Sequence, residues 1–350
     1  MEIKALVREF ISHSASFYND SELPDVDDKH SAIVAKAYAE INDFDFENFR
    51  NWAGQGDLGA PSQLSLDALK VNGWKRTTLR FIYRKLFRRK SEQILIQGLL
   101  DDIALIKLIH ADDLMRENPV HTTPGVGDFY KVNGVTVNVR WLRYVYFAKR
   151  ILDLNVLGQG GVWVDVGSYY GGLQGIVRKY CPRSRIVLVD FNHQLCRSYI
   201  YMSSLYPEAN HVLPDQIEEF SSFLEFPEGS IIYVPVTQFD NISSQSVDLA
   251  TNFFSFGEMR RSIFDQYMDS EIFSKATKQF IVNRFVSAPF FEKTYDSDLT
   301  IIDYLRSDRS LDYFDVCPIH HYMLVERELF GRYGPRNISS PYFEIISSRK

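Results

Sequence analysis

The chain has 350 residues, of which 45% are hydrophobic and 24% charged, with a formal net charge of −6. This length allows one large domain or two, and the composition is that of an ordinary globular protein. The negative charge argues against nucleic acid as the main partner, and no run of about 18 uncharged apolar residues predicts a membrane-spanning helix.

The cysteines and the first residues point to a reducing compartment. Cys181, Cys196 and Cys317 have neither the spacing of a metal site nor the number needed for a disulfide framework. The first 14 residues carry charges throughout and lack the apolar core of a secretion signal. We therefore expect a cytoplasmic location and no metal site.

Residues 1–125 are predicted to form a mostly helical N-terminal domain. Within it, the segment 74–90 (WKRTTLRFIYRKLFRRK) has eight basic residues and no acidic residue. Its apolar and basic residues fall on opposite sides of a helix, and a helix packed on the core with a solvated basic face commonly gives this pattern. Peripheral contact with the anionic inner face of a membrane, or with the phosphates of a sugar nucleotide, is the alternative.

Residues 126–350 are predicted to form an α/β domain. Asn133-Gly134 between two short apolar runs predicts a hairpin with a type I′ turn. Beyond it, apolar runs alternate with helical patterns, which favours a parallel sheet. The predicted strands are 162–166, 185–190, 231–236, 247–254, 279–283, 322–325 and 343–346.

The turn after the first of these strands predicts a nucleotide-binding unit. Gly167, Gly171 and Gly172 permit a tight turn and a close approach of the backbone to a ligand at the start of a helix. Asp190 ends the next strand, where a carboxylate accepts hydrogen bonds from ribose hydroxyls. The glycine spacing differs from that of dinucleotide folds, and Asp165 would repel a phosphate, so a nicotinamide cofactor is disfavoured.

The stretch VDVGSYYGGL, followed by LVDFN and NFFSFGEM, resembles the sugar O-methyltransferases of surface-polysaccharide gene clusters. The resemblance covers the chain from about Phe129 onwards. That family usually has glutamate at the position of Asp165 and glycine at those of Ser168 and Tyr169. The resemblance implies a Rossmann-like class I methyltransferase sheet, folded back at its end by antiparallel strands, with S-adenosyl-L-methionine as cofactor.

The resemblance also implies a cofactor site at the carboxyl ends of the first three strands. Asp165 would face the ammonium group, Asp190 the ribose, and Phe191 the adenine. The full set expected to bind the cofactor is Asp165, Gly167, Ser168, Tyr169, Gly171, Gly172, Asp190, Phe191, Asn192, Thr237 and Gln238. Each glycine alone fits a plain turn equally well.

The acceptor site is expected at the end of the fourth strand, with Asn252 and Ser255 in contact with the substrate. Glu258 is predicted either as the general base or as a group that fixes the acceptor hydroxyl; a glutamate that stabilises a helix start is the plainer interpretation. His320 and His321 are the alternative bases, although a surface histidine pair is the commoner explanation.

These observations predict an O-methyltransferase acting on a sugar hydroxyl of a surface polysaccharide or its precursor. Two alternatives stay open: a methyltransferase for a small non-sugar acceptor, and a non-catalytic binding module in a glycan-assembly complex. The substitutions at Ser168 and Tyr169 keep the second alternative open. The sequence specifies neither the sugar, nor the hydroxyl, nor the oligomeric state.

Overall fold

The computed structural model describes residues 3–14, 96–120, 130–137, 139–217, 221–243, 245–286, 299–319, 328–329, 332–333 and 342–350. The basic segment 74–90, the predicted strand 322–325, and both His320 and His321 lie outside these residues.

The described helices and strands follow the predicted alternation. The helices are α1 (Ile3–Ser14), α2 (96–108), α3 (Asp112–Glu117), α4 (Val139–Leu154), α5 (Gly172–Tyr180), α6 (Asn192–Leu205), α7 (Phe239–Ile242), α8 (Arg261–Asp269) and α9 (Glu271–Lys275). The strands are β1 (Tyr130–Val132), β2 (Val135–Val137), β3 (Val162–Val166), β4 (Arg185–Asp190), β5 (His211–Val212), β6 (Ile231–Pro235), β7 (Leu249–Phe253), β8 (Lys278–Arg284), β9 (Arg309–Val316), β10 (Glu328–Leu329), β11 (Arg332–Tyr333) and β12 (Tyr342–Arg349).

One eight-stranded sheet organises the molecule, in the order β5-β6-β4-β3-β7-β8-β12-β9. The strands from β5 to β8 pair in parallel, whereas β12 is antiparallel to both β8 and β9. When the strands of this sheet are renumbered along the chain with β3 as strand 1 and β5 left out, the order becomes 3-2-1-4-5-7-6. The short strand β5 is added at the edge, beside β6. This is the Rossmann-like methyltransferase sheet, so the predicted fold class is confirmed. The strand order reverses at β3, and ligands of such sheets bind beyond the carboxyl ends at that point.

The strand β3 lies at the centre of the core and is buried along its whole length. Val162, Val164 and Val166 belong to the apolar cluster on one face of the sheet, and Trp163 to the cluster on the other. Helices cover both faces, which is why this strand reads as a nearly continuous apolar run.

The hairpin predicted from Asn133-Gly134 is confirmed. β1 and β2 pair antiparallel across these two residues. Asn133 has φ 49° and Gly134 φ 80°, and two positive φ angles define the type I′ turn. The turn places α4 directly after it, with the amino end of that helix at the carboxyl edge of the sheet.

The described N-terminal helices share an apolar cluster with the sheet and the helices that cover it. Phe10 of α1 lies 5.9 Å from the ring of Tyr199 and 6.3 Å from that of Tyr233. Leu99 and Ile106 of α2 are fully buried in the same apolar cluster. The boundary near residue 125 falls in 121–129, outside the described residues, so the division into two domains stays a prediction. None of the described helices combines the length and the apolar character needed to cross a membrane.

The strand β9 was not predicted. It pairs with β12 at the edge of the sheet, and most of its residues are exposed, so its sequence lacks a continuous apolar run. Its first residue, Arg309, is buried and donates hydrogen bonds to the carbonyls of Phe273 and Ala276 at the end of α9. This anchor fixes the strand through a contact that local sequence pattern does not reveal.

Candidate active site

The turn between β3 and α5 approaches the turn after β7 very closely. Gly167 has φ +79°, and a Cβ built on it would lie 2.3 Å from Oγ of Ser255. The backbone N–H of Gly167 donates to the carbonyl of Val189 on β4. Glycine is therefore required at this position for both its conformation and its space. The contact brings the predicted cofactor loop against the predicted acceptor motif.

Tyr169 occupies a position where the resembled family has glycine, and it adopts the left-handed conformation with φ 55°. Its N–H donates to Oδ2 of Asp190 over 2.7 Å, and its carbonyl accepts from Oγ of Ser198 over 2.5 Å. The guanidinium carbons of Arg140 and Arg197 lie 4.4 and 5.0 Å from the centre of its ring. These contacts offset the cost of a positive φ in a residue with a side chain.

Asp190 ends β4 with a nearly buried carboxylate. Oδ1 accepts from the N–H of Phe191 over 2.8 Å, in addition to the bond from Tyr169 to Oδ2. Burial raises the pKa of Asp190 to about 7, although both backbone bonds and Arg197 favour the charged form. A carboxylate oxygen accepts more than one hydrogen bond, so this group retains acceptor capacity for ligand hydroxyls.

Asp165 lies on β3 with 2% of its surface exposed. Its carboxylate accepts hydrogen bonds from Oγ1 of Thr251 over 2.5 Å and from Nε2 of Gln174. Burial raises the pKa of Asp165 to about 8. The carboxyl group is thus held from β7 and α5 together, and its expected contact with an ammonium group stays a prediction.

The other residues expected around the cofactor differ in exposure. Ser168 is buried, and its Oγ has no hydrogen-bond partner among the described residues. The ring of Phe191 stacks on that of His193 at 6.0 Å, and Asn192 is the first residue of α6. Gly172 lies against Tyr144 and Tyr170.

The turn after β6 carries Thr237 and Gln238 in opposite environments. Thr237 is exposed, whereas Gln238 is 2% exposed and donates from Nε2 to the carbonyl of Pro214. Gln238 lines a cavity of 250 Å³ together with apolar residues such as Phe223 and Phe226. Of the two side chains, only that of Thr237 is therefore open to solvent.

At the end of β7, Asn252 is fully buried and fully bonded. Its Nδ2 donates to the carbonyl of Val166 and to Oγ of Ser255, and its Oδ1 accepts from the N–H of Phe256 and from Nδ2 of Asn283. An amide side chain has this number of hydrogen bonds and no more. Asn252 therefore clamps β3, β7 and β8 together and positions Ser255.

Glu258 ends a 3₁₀ turn, Phe256–Glu258, that follows β7. Its side chain is 47% exposed, and its Oε1 lies 3.9 Å from Nη2 of Arg284. Burial by surrounding protein atoms raises the pKa of Glu258, and the charges of Arg284 and Arg143 oppose this shift. The carboxylate of Glu258 is therefore partly open to solvent and lies near two arginine charges.

Four residues around Glu258 were missed in the sequence. Phe254 has φ 74°, and its ring lies 4.7 Å from that of Tyr342 and 4.3 Å from the guanidinium carbon of Arg143. The fourth, Arg284, ends β8, so the rule that polar residues at strand ends are functional candidates would have identified it. Phe254 stands inside the stretch NFFSFGEM, whereas Arg143 and Tyr342 had no local signal. Within the described ranges, no group of His, Cys, Asp and Glu is placed to hold a metal ion.

Comparison with known proteins gives similarities of structure only. No family model and no curated protein matches the sequence. One similar structure is the mitomycin 7-O-methyltransferase, with 9% identity over 60% of this chain and a TM-score of 0.32. A second is an O-methyltransferase family 2 protein from Planctomyces limnophilus, in complex with apigenin, with 13% identity over 59% of this chain and a TM-score of 0.35.

The third is the geranyl diphosphate C-methyltransferase from Streptomyces coelicolor, in complex with Mg²⁺, geranyl diphosphate and S-adenosyl-L-homocysteine. It has 10% identity over 60% of this chain and a TM-score of 0.38. The present chain spans 57%, 58% and 81% of the lengths of these three proteins, respectively.

Proposed function

We propose that this chain is an S-adenosyl-L-methionine-dependent O-methyltransferase whose acceptor is a sugar hydroxyl of a surface polysaccharide or its precursor. The observation that carries the proposal is the contact of Gly167 with Ser255. It joins a glycine turn and its ribose-type carboxylate, Asp190, to the turn that presents Glu258. The close approach of the predicted cofactor turn to the turn with the predicted base, near the strand-order reversal, supports the proposal.

The residues present fit the cofactor. Asp190 has a buried carboxylate with acceptor capacity for two ribose hydroxyls, and Ser168 has a buried hydroxyl without a partner among the described residues. Phe191 offers a ring for adenine, and Asp165 a carboxyl group for the ammonium. When bound, S-adenosyl-L-methionine supplies an activated methyl group on a sulfonium.

The task of the protein is then to orient the acceptor and to remove its proton. Glu258 lies just beyond the carboxyl end of β7, and its carboxylate takes the proton of the acceptor hydroxyl. Burial raises the pKa of Glu258 and makes its carboxylate a stronger base, while the charge of Arg284 favours the ionised form. Asn252 holds the turn that carries it.

The sugar acceptor rests on the resemblance and on the rings of Phe254 and Tyr342, which are partly exposed beside Glu258. Aromatic rings bind the apolar faces of sugars. They suit a small aromatic acceptor too, so a non-sugar substrate is the alternative. The cytoplasmic location, and peripheral contact of the segment 74–90 with an anionic membrane, belong to the same proposal.

A non-catalytic binding module is the second candidate, because Tyr169 stands where the resembled family has glycine. Titration calorimetry with S-adenosyl-L-homocysteine separates the two. We expect micromolar binding, followed by transfer of tritiated methyl groups from S-adenosyl-L-methionine to sugar nucleotides or isolated surface glycan. Absence of binding heat, with the protein folded by circular dichroism, would contradict the proposal.

A further inference from the structure

Arg284 is a mostly buried arginine that makes few hydrogen bonds with the described residues. Its side chain is 17% exposed. Nε donates to Oη of Tyr342 over 3.3 Å, and the guanidinium carbon lies 5.7 Å from the centre of that ring. Nη2 is 3.9 Å from Oε1 of Glu258, which is an ion pair too long for a hydrogen bond. Among the described residues, neither terminal nitrogen of Arg284 donates a hydrogen bond.

A second guanidinium, carried by a different element, lies near the same place. Arg143 lies on the first turns of α4 and stacks over Phe254, whose ring contacts Tyr342. Both arginines act on the carboxylate of Glu258. The two charges therefore come from different elements, β8 and α4, and lie near the turn that follows β7.

A neutral acceptor does not account for this arrangement. One arginine is sufficient to balance Glu258, and a planar guanidinium whose terminal nitrogens donate to no described residue matches the geometry of a carboxylate or a phosphate. An acceptor with such a group would be repelled by Glu258 alone, whereas two arginines neutralise both negative charges.

We propose that the acceptor is anionic, and that Arg284, assisted by Arg143, binds its carboxylate or phosphate next to the hydroxyl that faces Glu258. This inference rests on the proposed function. It makes Arg284 a determinant of specificity, and it narrows the acceptor to an acidic sugar or a sugar phosphate.

The test is an affinity comparison on protein loaded with S-adenosyl-L-homocysteine, in about 0.15 M salt to limit non-specific charge effects. The probes are inorganic phosphate, glucose 1-phosphate, D-glucuronate and neutral glucose. We expect at least one anionic probe to bind about tenfold or more tightly than glucose. The phosphate and carboxylate probes identify which of the two groups is recognised.

Three variants decide the role of Arg284. Arg284→Gln should weaken the binding of the anionic probe at least about tenfold and leave the affinity for glucose unchanged. Arg284→Lys should restore only part of the lost affinity. Arg306→Gln is the matched control, because Arg306 is a partly exposed arginine paired with Asp269 away from the site. The affinity of Arg306→Gln for the anionic probe should equal that of the wild type.

Two results would overturn the inference: anionic and neutral probes binding alike, including no binding by either, or Arg284→Gln keeping the wild-type affinity. The affinity for S-adenosyl-L-homocysteine serves as the fold check for each variant. If the wild type does not bind this compound, the proposed function fails, whereas anion titration of the free protein still tests the arginine pair separately.

Discussion

The backbone N–H of Tyr169 donates to Oδ2 of Asp190 over 2.7 Å, which fastens the turn after β3 to the end of β4. The same carboxylate accepts from Phe191 through its other oxygen. Asp190 therefore has two tasks, to hold the turn and to receive a ligand. Its replacement tests both.

Asp190→Ala should weaken the binding of S-adenosyl-L-homocysteine at least about tenfold, because a buried carboxylate acceptor is lost. Titration calorimetry measures this. Asp248→Ala is the matched control: Asp248 also accepts a backbone N–H, that of Val162, but at the opposite end of β3. The control should lose stability and keep its affinity. Equal affinities of wild type and Asp190→Ala would show that Asp190 does not bind the ribose.

Glu258→Gln should lower the rate of methyl transfer by about 100-fold or more, since the amide cannot take a proton and a positioned base contributes about 10²–10⁴-fold. The affinity for S-adenosyl-L-homocysteine should stay within a few-fold of the wild type. Glu271→Gln, on the exposed pair with Lys275, is the control. A nearly unchanged rate would move the search to His320 and His321. Joint loss of rate and cofactor affinity would mean that Glu258 lies on the cofactor side.

Asp165 should make the protein less stable as the pH rises. Its pKa in the folded chain is raised to about 8, so the folded chain holds this proton more tightly than the unfolded chain. The resulting contribution to the free energy of unfolding is complete below the ordinary carboxyl pKa and is lost as the pH approaches 8. Asp165→Asn removes this dependence. We expect the free energy of unfolding of the wild type to fall relative to the variant between about pH 4 and 8, by at most about 1.4 kcal/mol per pH unit. Urea titrations of both proteins measure it, and a constant difference would contradict the assignment.

Gly167→Ala should destabilise the fold by at least about 2 kcal/mol, because the positive φ and the short approach to Ser255 both oppose a Cβ. Gly158→Ala is the control, since the nearest atom to its added carbon is 4.0 Å away. Thermal unfolding of the two variants measures the difference. Equal stabilities would show that the turn can shift at no cost.

Among the charged residues outside the site, Glu344 should be the one whose replacement lowers the free energy of unfolding most. It is fully buried on β12 and accepts from Oη of Tyr146 and Nε of Arg150, each over 2.7 Å. Glu344→Ala leaves the guanidinium of Arg150 unpaired and should cost about 3–5 kcal/mol in unfolding free energy. Tyr146→Phe removes one hydrogen bond and should cost about 1 kcal/mol. A loss for Glu344→Ala no larger than that for Tyr146→Phe would contradict this ranking.

The sequence by itself determined the elements whose signals are local. The bounds of β3 and β4, the hairpin at Asn133-Gly134 and the glycine turn at Gly167 follow from apolar runs and from backbone conformations open to few residues. Such signals lie within a few neighbouring residues, so they can be read before the chain folds.

Only the tertiary structure decided which residues meet. Arg143 and Arg284 are far apart in sequence and converge on Glu258 because α4 begins and β8 ends at the same edge of the sheet. The edge strand β9 depends on the burial of Arg309 against the end of α9, and Phe254 takes its positive φ between Arg143 and Tyr342. These features are set by long-range packing and by charges brought together on folding, which no local pattern of side chains encodes.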